Sequence, residues 1–257
     1  MLSQPNAIAL QTLVTREIRR FMRIWVQTLV PPAITVMLYF VIFGNLIGSR
    51  IGEMGGFSYI QFVVPGLIMM GVITNSYGNV VSSFFNARFQ HHVEELLVAP
   101  VPNYIILLGY ISGGVARGLS VGLIVTLLAT FFTTLDVHNV WVTIGVVIMT
   151  SALFSLLGFI NAVFADNFDD ISIIPTFVLT PLIYLGGVFY SVSLLPDFWA
   201  TISRLNPVLY MVNAFRYGIL GISDIHVGFA FAMISLFVVV AWLYCLHLLR
   251  VGKKLRL

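Results

Sequence analysis

The amino-acid sequence predicts an all-α integral membrane protein that crosses the bilayer six times. Hydrophobic residues make up 59% of the 257 residues and charged residues only 9%, whereas soluble domains average about 45–50% and about 25%. The mean hydropathy of +1.00 is likewise far above that of a soluble domain. Five long runs contain no Asp, Glu, Lys or Arg, and a sixth contains only Arg117. Residues 1–257 are therefore predicted to form one membrane domain.

These six runs predict six spans. A helix needs about 20 mostly apolar residues to cross the roughly 30 Å hydrocarbon layer, and each run is long enough after trimming for turns. The predicted spans cover residues 27–47, 59–83, 104–133, 140–163, 171–190 and 227–249.

The positions of lysine and arginine predict the orientation of the spans, because cytoplasmic loops carry an excess of these residues. An even number of spans places both termini on one side. That side holds nine basic residues: Arg16, Arg19, Arg20, Arg23, Arg88, Arg250, Lys253, Lys254 and Arg256. The other side holds three: Arg50, Arg204 and Arg216. Both termini are therefore predicted to be cytoplasmic.

The segment before the first span, about residues 9–24, is predicted to be an amphipathic helix in the membrane interface. Arg16, Arg19, Arg20 and Arg23 fall on one stripe of a helical wheel, and apolar residues such as Ile18 lie opposite. This pattern is typical of a helix whose basic face meets anionic headgroups. A simple basic anchor for the first span is the alternative, and the two are compatible.

The stretch from Asn86 to Pro102, NARFQHHVEELLVAPVP, places a cluster of charges between the second and third spans. Charged residues at the bilayer centre cost about 2.5–3.5 kcal/mol each, so this stretch is predicted to be cytoplasmic. Its apolar residues cover about a third of a helical wheel, and the prolines end the helix. The polar face carries Arg88, His91, His92, Glu94 and Glu95. This helix either lies passively on the membrane or docks a cytosolic partner.

The connection after the fifth span, residues 191–224, is too apolar for an exposed loop. Its second part, Pro207 to Leu220, has 14 residues and would be roughly 21 Å long, which is short of a crossing. Pro196 and Pro207 each suit a helix start. The sequence therefore predicts two short helices that dip into the outer leaflet and return. Arg204 and Arg216 are expected near the outer headgroups or the mouth of a translocation path, because bare hydrocarbon would be costly for them.

The third span combines small residues with an intramembrane arginine. Gly114, Gly118 and Gly122 recur every fourth residue, a spacing that lets helices approach closely. Their contact could be within the chain or between two chains. Arg117 lies beside them and is a candidate functional residue, because ionisable groups are costly inside a membrane. A structural pair with a polar group of the bundle is the alternative.

Two other classes of protein remain as alternative interpretations of the sequence. Asp166, Asp169 and Asp170 could hold Mg²⁺ against a diphosphate in a membrane transferase, although such enzymes need a second acidic cluster and none is found. The same aspartates could instead cap the fifth span. A self-contained ion-coupled transporter would usually carry acidic groups inside its spans, and the predicted spans have none. The sequence contains no phosphate-binding loop G-x-x-x-x-G-K-[ST].

Two segments carry a resemblance to a known family. Between Pro175 and Gly221 the chain has a glycine-aromatic segment at Gly187–Tyr190, then Leu195-Pro196, Asn206-Pro207 and Arg216. EELLVAPVP, Glu94 to Pro102, precedes the third span. In these features the chain resembles the type-2 permease family of ATP-binding-cassette exporters over nearly its whole length. Many members have proline just after the aromatic residues, where this chain has Ser191.

The resemblance implies a function for the charged helix. In the family this helix couples the permease to a separate ATPase, which assigns that role to Arg88, His91, His92, Glu94 and Glu95, with Asp169 and Asp170 beside them. The resemblance also implies a bacterial inner-membrane dimer of permeases with two ATPase subunits. ATP and Mg²⁺ would bind the partner, and this chain would bind no cofactor. The export path would follow the dimer interface, with Arg117 and Arg216 at the path or its outer gate. Membrane lipids are the other expected partner, and nucleic acid is not.

Overall fold

Helix α4 (Tyr59–Phe89) runs through the centre of the structure, a computed structural model that describes residues 4–252. The basic residues Lys253, Lys254 and Arg256, used above for the orientation, lie outside the described residues. Before α4 come α1 (Gln4–Arg23), α2 (Trp25–Phe40) with a π-helical extension (Val41–Ile47), α3 (Gly48–Ile51), β1 (Glu53–Met54) and β2 (Phe57–Ser58). After it come α5 (His92–Val98), α6 (Asn103–Ala129), α7 (Val140–Phe164), α8 (Asp170–Ile174), a π-helical segment (Pro175–Leu179), α9 (Thr180–Tyr184), a 3₁₀ turn (Val192–Leu194), α10 (Asp197–Leu205), α11 (Pro207–Leu220) and α12 (Val227–Val251).

Five helices of the described chain are long and apolar enough to span a membrane. They are Trp25–Gly44, Tyr59–Phe89, Asn103–Ala129, Val140–Phe164 and Val227–Val251. These correspond to the first, second, third, fourth and sixth predicted spans. Below, the end of the bundle that carries α5 is called the α5 end, and the end with the antiparallel pair β1–β2 is called the hairpin end.

The fifth predicted span, residues 171–190, differs from the expected continuous helix. It is helical only over Asp170–Tyr184, an apolar segment shorter than the five spans. Pro175 and Pro181 lie inside it, and each removes a backbone N–H donor. The segment accordingly changes from α to π geometry at Pro175 and ends in a turn after Tyr184.

Helix α4 is enclosed because small residues on its neighbours let their backbones approach it. It packs against α6 and α7. A Cβ at Gly158 of α7 would lie 2.6 Å from the carbonyl oxygen of Tyr77 in α4. Gly114, Gly118 and Gly122 of α6 also face inward, toward α4 and α7. A Cβ at Gly122 would lie 2.9 Å from a methyl group of Val72, and a Cβ at Gly118 would overlap Ser76. The structure thus places this stripe against helices of the same chain.

The helix α1 packs on α6 through two other glycines. A Cβ at Gly109 or Gly113 would lie 2.6 Å from the Cβ of Leu13 or Glu17, respectively. Leu13, Glu17 and Phe21 form the buried side of α1. The predicted two-sided helix therefore has a third side, which is packed against protein rather than against lipid.

Candidate functional site

Helix α5 projects from the α5 end as a separate element. His91 has a left-handed backbone with φ of 61°, and the helix is interrupted at this residue, between α4 and α5. Val93 is buried and fixes α5 on the bundle, while His91, His92 and Glu95 are exposed and Val98 is 85% exposed. His91 Nδ1 lies 3.3 Å from Glu94 Oε1. The exposed residues of α5 therefore form a charged ridge with an apolar tip.

The break at His91 corrects the prediction of one amphipathic helix through this stretch. Because α4 ends at Phe89 and α5 begins at His92, the two parts do not share one helical wheel. Phe89, predicted on the apolar face, is 53% exposed. Arg88, predicted on the solvent face, is only 2% exposed.

Arg88 is buried because it caps the end of α7. Its guanidinium donates to the carbonyl oxygens of Ala162 (2.9 Å), Val163 and Ala165. The last four carbonyls of a helix have no partner within it, and a cation is favourable at this end of the helix dipole. Asp166 Oδ1 lies 3.9 Å from the guanidinium. Arg88 therefore joins α4 to α7, and its predicted contact with an ATPase is not supported by its position.

Aromatic side chains extend the exposed surface between α5 and the loop that follows α7. The ring of Phe168 lies 5.2 Å from that of Phe89 and 5.0 Å from that of Phe85. Phe89 and Phe168 are both about half exposed. Exposed apolar groups rimmed by polar ones mark interaction sites. We call the surface formed by Phe89, His91, His92, Glu94, Glu95, Val98 and Phe168 the docking surface.

The aspartates beside the docking surface act in local structure. Asp170 Oδ2 accepts from the backbone N–H of Asp166 (2.9 Å) and Asn167 (3.2 Å), and Asn167 Oδ1 accepts from the N–H of Asp170 (2.9 Å). This reciprocal pair holds the turn that precedes α8. Asp169 is exposed at the surface. Within residues 4–252, no group of three or more His, Cys, Asp or Glu side chains could hold a metal ion. Asp169 is at the N-cap of α8 without a side-chain capping bond, and Asp170 is the first residue of this helix, so the capping alternative stays a prediction.

A cavity of about 420 Å³ opens among α2, α4, α6 and α9 at membrane depth. We call it the membrane cavity. Its polar lining comprises Gln27, Thr35, Thr74, Asn75, Arg117, Thr180 and Tyr184, and Pro31, Pro32 and Met70 contribute apolar walls. A pocket with apolar walls and a few convergent polar groups is the usual form of a ligand site.

Arg117 is the charged group of the membrane cavity. One terminal nitrogen donates to Asn75 Oδ1 (3.0 Å) and lies 3.5 Å from the carbonyl oxygen of Thr28. Asn75 is held in turn by a bond to the carbonyl oxygen of Gly71 (2.9 Å). No carboxylate of the described residues lines the cavity, so the charge of Arg117 is oriented by neutral groups. An oriented guanidinium without a counter-ion can attract an anionic or hydroxyl-bearing group.

Arg216 lies deeper than the sequence predicted. It is 1% exposed and donates to the carbonyl oxygens of Gly187 (2.6 Å) and Phe62 (3.3 Å). Its guanidinium also lies 3.9 Å from the centre of the Phe62 ring. Arg216 borders a cavity of about 210 Å³ at the hairpin end, with Asp224 on the opposite lining. In the structure Arg216 therefore joins α11 to α4, and its role as an outer gate stays a prediction.

Sequence reasoning missed two residues of these sites. Asn75 orients Arg117, but one asparagine in a long apolar run gives no distinctive signal. Glu17 is 1% exposed although it lies among arginines in α1. Its spacing of four residues from Leu13 and Phe21, which places all three on one helix side, is the signal that could have revealed it.

Long apolar helices around a polar cavity, with a charged surface at one end, define a multi-pass membrane transport protein. Residues 8–220 match the family model described as ABC-2 type transporter. The chain belongs to this family, as its resemblance to type-2 permeases predicted.

The chain is also similar to named bacterial proteins. The chain is 60% identical over 250 residues to the inner membrane transport permease YadH of Escherichia coli K12, which covers 97% of both chains. The YadH of Shigella flexneri matches equally well. Nodulation protein J of Rhizobium meliloti is 24% identical over 215 residues, 83% of this chain and 82% of the relative. The chain is thus a permease subunit of an ABC transporter in the bacterial inner membrane.

Proposed function

We propose that two copies of this chain form the membrane part of an exporter that is driven by two copies of a separate ATPase. The docking surface is the observation that carries this proposal. It exposes Glu94, Glu95 and Val98 on a helix that is fixed to the bundle by Val93. Movement imposed on α5 therefore reaches α4 directly. ATP and Mg²⁺ would be held by the ATPase.

The proposed topology has six crossings with both termini in the cytoplasm. The short segment Asp170–Tyr184 starts beside Asp166, which lies near Arg88. It is followed by Phe189, whose ring lies 4.9 Å from that of Phe43 and 5.8 Å from that of Tyr184. Phe43 in turn neighbours Tyr59 at the hairpin end. These contacts support a passage from one end of the bundle to the other, although the helix itself is short.

The segment between this crossing and α12 is proposed to be a re-entrant hairpin. Its two ends meet, because Ser191 Oγ donates to Asp224 Oδ1 at 2.7 Å. Between them, Asn206 reaches back into the bundle and donates to the carbonyl oxygen of Leu182 (2.6 Å). A segment that enters and leaves at one point does not cross. Non-helical backbone at membrane depth is tolerated where protein covers it, and Asn206 is buried.

The first test asks whether ATP hydrolysis depends on a separate ATPase. We expect the purified chain in lipid nanodiscs to hydrolyse no ATP, and hydrolysis to appear on co-expression with a cognate ABC ATPase. The measurement is phosphate release, with an ATPase-inactive variant of the partner as the control. Sustained hydrolysis by this chain alone would contradict the proposal.

Reversing the charge of α5 should separate the permease from its ATPase. We expect Glu94→Lys with Glu95→Lys to lower ATPase co-purification at least tenfold, because like or unpaired charges at an interface weaken association. Glu53→Lys with Asp136→Lys makes the same charge change at exposed sites away from α5 and should retain the ATPase. Equal retention by both double variants would exclude α5 as the docking element.

The proposed export path includes the membrane cavity, and its substrate is expected to be amphipathic, as a lipid, drug or glycan would be. Arg117 should give this cavity a preference for anions. In a Cys245→Ser background, Thr74→Cys would carry a reactive thiol in the cavity lining. The measured quantity is the labelling rate of this thiol with an anionic methanethiosulfonate divided by its rate with a cationic one. We expect Arg117→Gln to lower this ratio roughly tenfold, because one unit charge at short range is removed.

Arg204→Gln is the matched control for the labelling experiment, since Arg204 is exposed and outside the cavity. It should leave the ratio unchanged. A ratio that is insensitive to Arg117→Gln would show that this guanidinium does not set the electrostatics of the path.

A further inference from the structure

A basic groove of about 660 Å³ lies between α1 and the α5 end of α4. Arg16, Arg19, Arg20 and Arg23 line one wall, and Ser83, Asn86, Gln90 and His92 contribute to the other. Among residues 4–252, Glu17 is the only carboxylate in the lining. Four guanidinium groups against one carboxylate leave an excess of three positive charges. The groove is separate from the membrane cavity.

Two of the four arginines are held by the protein. Glu17 accepts from Ser83 Oγ (2.5 Å) and forms ion pairs with Arg16 (3.1 Å) and Arg20 (3.4 Å). Arg20 also donates to Asn79 Oδ1 at 2.9 Å. Burial lowers the pKa of Arg16, but Tyr110 and Glu17 more than offset this and raise the pKa above its ordinary value. These contacts fix the wall of the groove in a charged form.

Arg19 and Arg23 differ from this pair. Both are exposed, and neither makes a hydrogen bond or an ion pair within the part of the chain that the structure describes. They lie four residues apart and therefore project from the same side of α1. Each guanidinium group has five N–H donors. Arg19 and Arg23 together therefore offer ten donors, which favours a ligand with several acceptor oxygens.

The depth of the groove in the membrane follows from the exposed apolar residues of α1. Ile18 and Met22, four residues apart, are exposed on a side other than that of Leu13, Glu17 and Phe21. Trp25, exposed at the start of the spanning helix α2, is a residue type enriched at membrane interfaces. The arginines therefore lie at the level of the lipid headgroups, beside acyl chains.

We propose that the groove binds a phosphate group, and that the headgroup of an anionic phospholipid supplies it. Guanidinium groups match phosphate oxygens in paired, charge-assisted hydrogen bonds. The amides of Asn86 and Gln90 add neutral donors at the opposite wall. The acyl chains of the same molecule would extend from the groove into the bilayer. A lipid bound there bridges α1 to His92, the first residue of α5.

Lipid binding to the isolated full chain tests this proposal without any ATPase. Phosphatidylglycerol would be titrated into the detergent-solubilised protein, and bound lipid counted by native mass spectrometry. We expect Arg19→Gln with Arg23→Gln to weaken the first binding event roughly 30-fold, since each surface cation contributes about a factor of five. Arg50→Gln with Arg204→Gln removes the same charge at exposed sites outside the groove and should change binding less than twofold.

A second variant guards against a folding defect in the first. Asn86→Asp places a carboxylate at an exposed position in the groove wall, and we expect it to weaken phosphatidylglycerol binding while leaving phosphatidylcholine binding unchanged. If Arg19→Gln with Arg23→Gln and Arg50→Gln with Arg204→Gln weakened phosphatidylglycerol binding equally, the proposal would be overturned, because the lipid would then be held by unspecific charge attraction. Unchanged lipid binding in the groove variants, with loss of ATPase assembly alone, would also overturn it in favour of a protein ligand.

Inorganic phosphate distinguishes the two sources of the ligand. At constant ionic strength, phosphate that fails to displace phosphatidylglycerol supports a lipid headgroup held partly through its acyl chains. Phosphate that displaces the lipid, and binds alone with the same dependence on Arg19 and Arg23, overturns the lipid source and identifies a site for free phosphate.

Discussion

Gly158→Ala is expected to destabilise the folded chain by about 3 kcal/mol, at the upper end of the usual cost of overpacking. The new methyl group would lie 2.6 Å from the carbonyl oxygen of Tyr77 and 3.4 Å from its Cα. These are backbone atoms of the central helix α4, so no side-chain rotation relieves the overlap. Either α7 moves away from α4 or the carbonyl is displaced from its helical hydrogen bond.

Thermal unfolding of the purified chain measures this effect. For a chain of this size the loss corresponds to roughly 6–12 °C in Tm. Gly78→Ala is the matched control, because nothing lies within 4 Å of a Cβ at that position. Alanine is a better helix former than glycine, so Gly78→Ala should leave Tm unchanged or raise it. Similar Tm values for the two variants would show that α4 and α7 are not in such close contact.

Arg88→Ala is expected to cost about 4 kcal/mol and to deplete the folded protein in the membrane. It removes the donor of three carbonyl oxygens at the end of α7, and each buried unsatisfied acceptor costs about 1–3 kcal/mol. Arg88→Lys should recover only part of the loss, because an ammonium group lacks the planar fork that reaches several acceptors.

The Arg88 variants also separate a structural role from a docking role. Membrane yield, thermal unfolding and ATPase co-purification would be measured together, with Arg250→Ala as a control at an exposed arginine in the last turn of α12. We expect stability and ATPase binding to fall together in Arg88→Ala. Normal stability with lost ATPase binding would instead support the direct ATPase contact that the sequence predicted for Arg88.

Hydropathy predicted the long spans because each is a long apolar run with at most one charged residue. The second and fourth spans, predicted at residues 59–83 and 140–163, begin within a residue of α4 and α7 as observed. The second extends to Phe89, because Arg88 is satisfied by carbonyls of another helix, and no pattern within its own run reveals this. The helical segment after Asp170 continues through Pro175 and Pro181 and ends at Tyr184, before Gly187 with φ of 73°, a turn signal that hydropathy does not weigh.

Side-chain positions were harder to predict than spans. A helical wheel assumes one continuous helix, and the left-handed residue His91 invalidates it for both Arg88 and Phe89. His91 is the only described residue other than glycine with positive φ, so no common turn signal marks the break. The sequence singled out Arg117 as a candidate intramembrane charge, but it did not reveal the partner Asn75, because that contact depends on how α4 and α6 pack.

The 31 residues of α4 give a single rod of about 46 Å, which has an arginine clamp near each end. Arg88 ties its α5 end to α7, and Arg216 ties Phe62 near its hairpin end to Gly187. Pro65 removes one backbone donor near the hairpin end, but the other hydrogen bonds of α4 resist shortening, so we expect the helix to shift or pivot as a whole. We therefore expect spin-label distances at the two ends to change at the same rate during turnover, and independent rates would refute a rigid rod. A movement imposed on one end of α4 would then change the arginine contacts at the other end in the same step, without a second signal having to cross the bilayer.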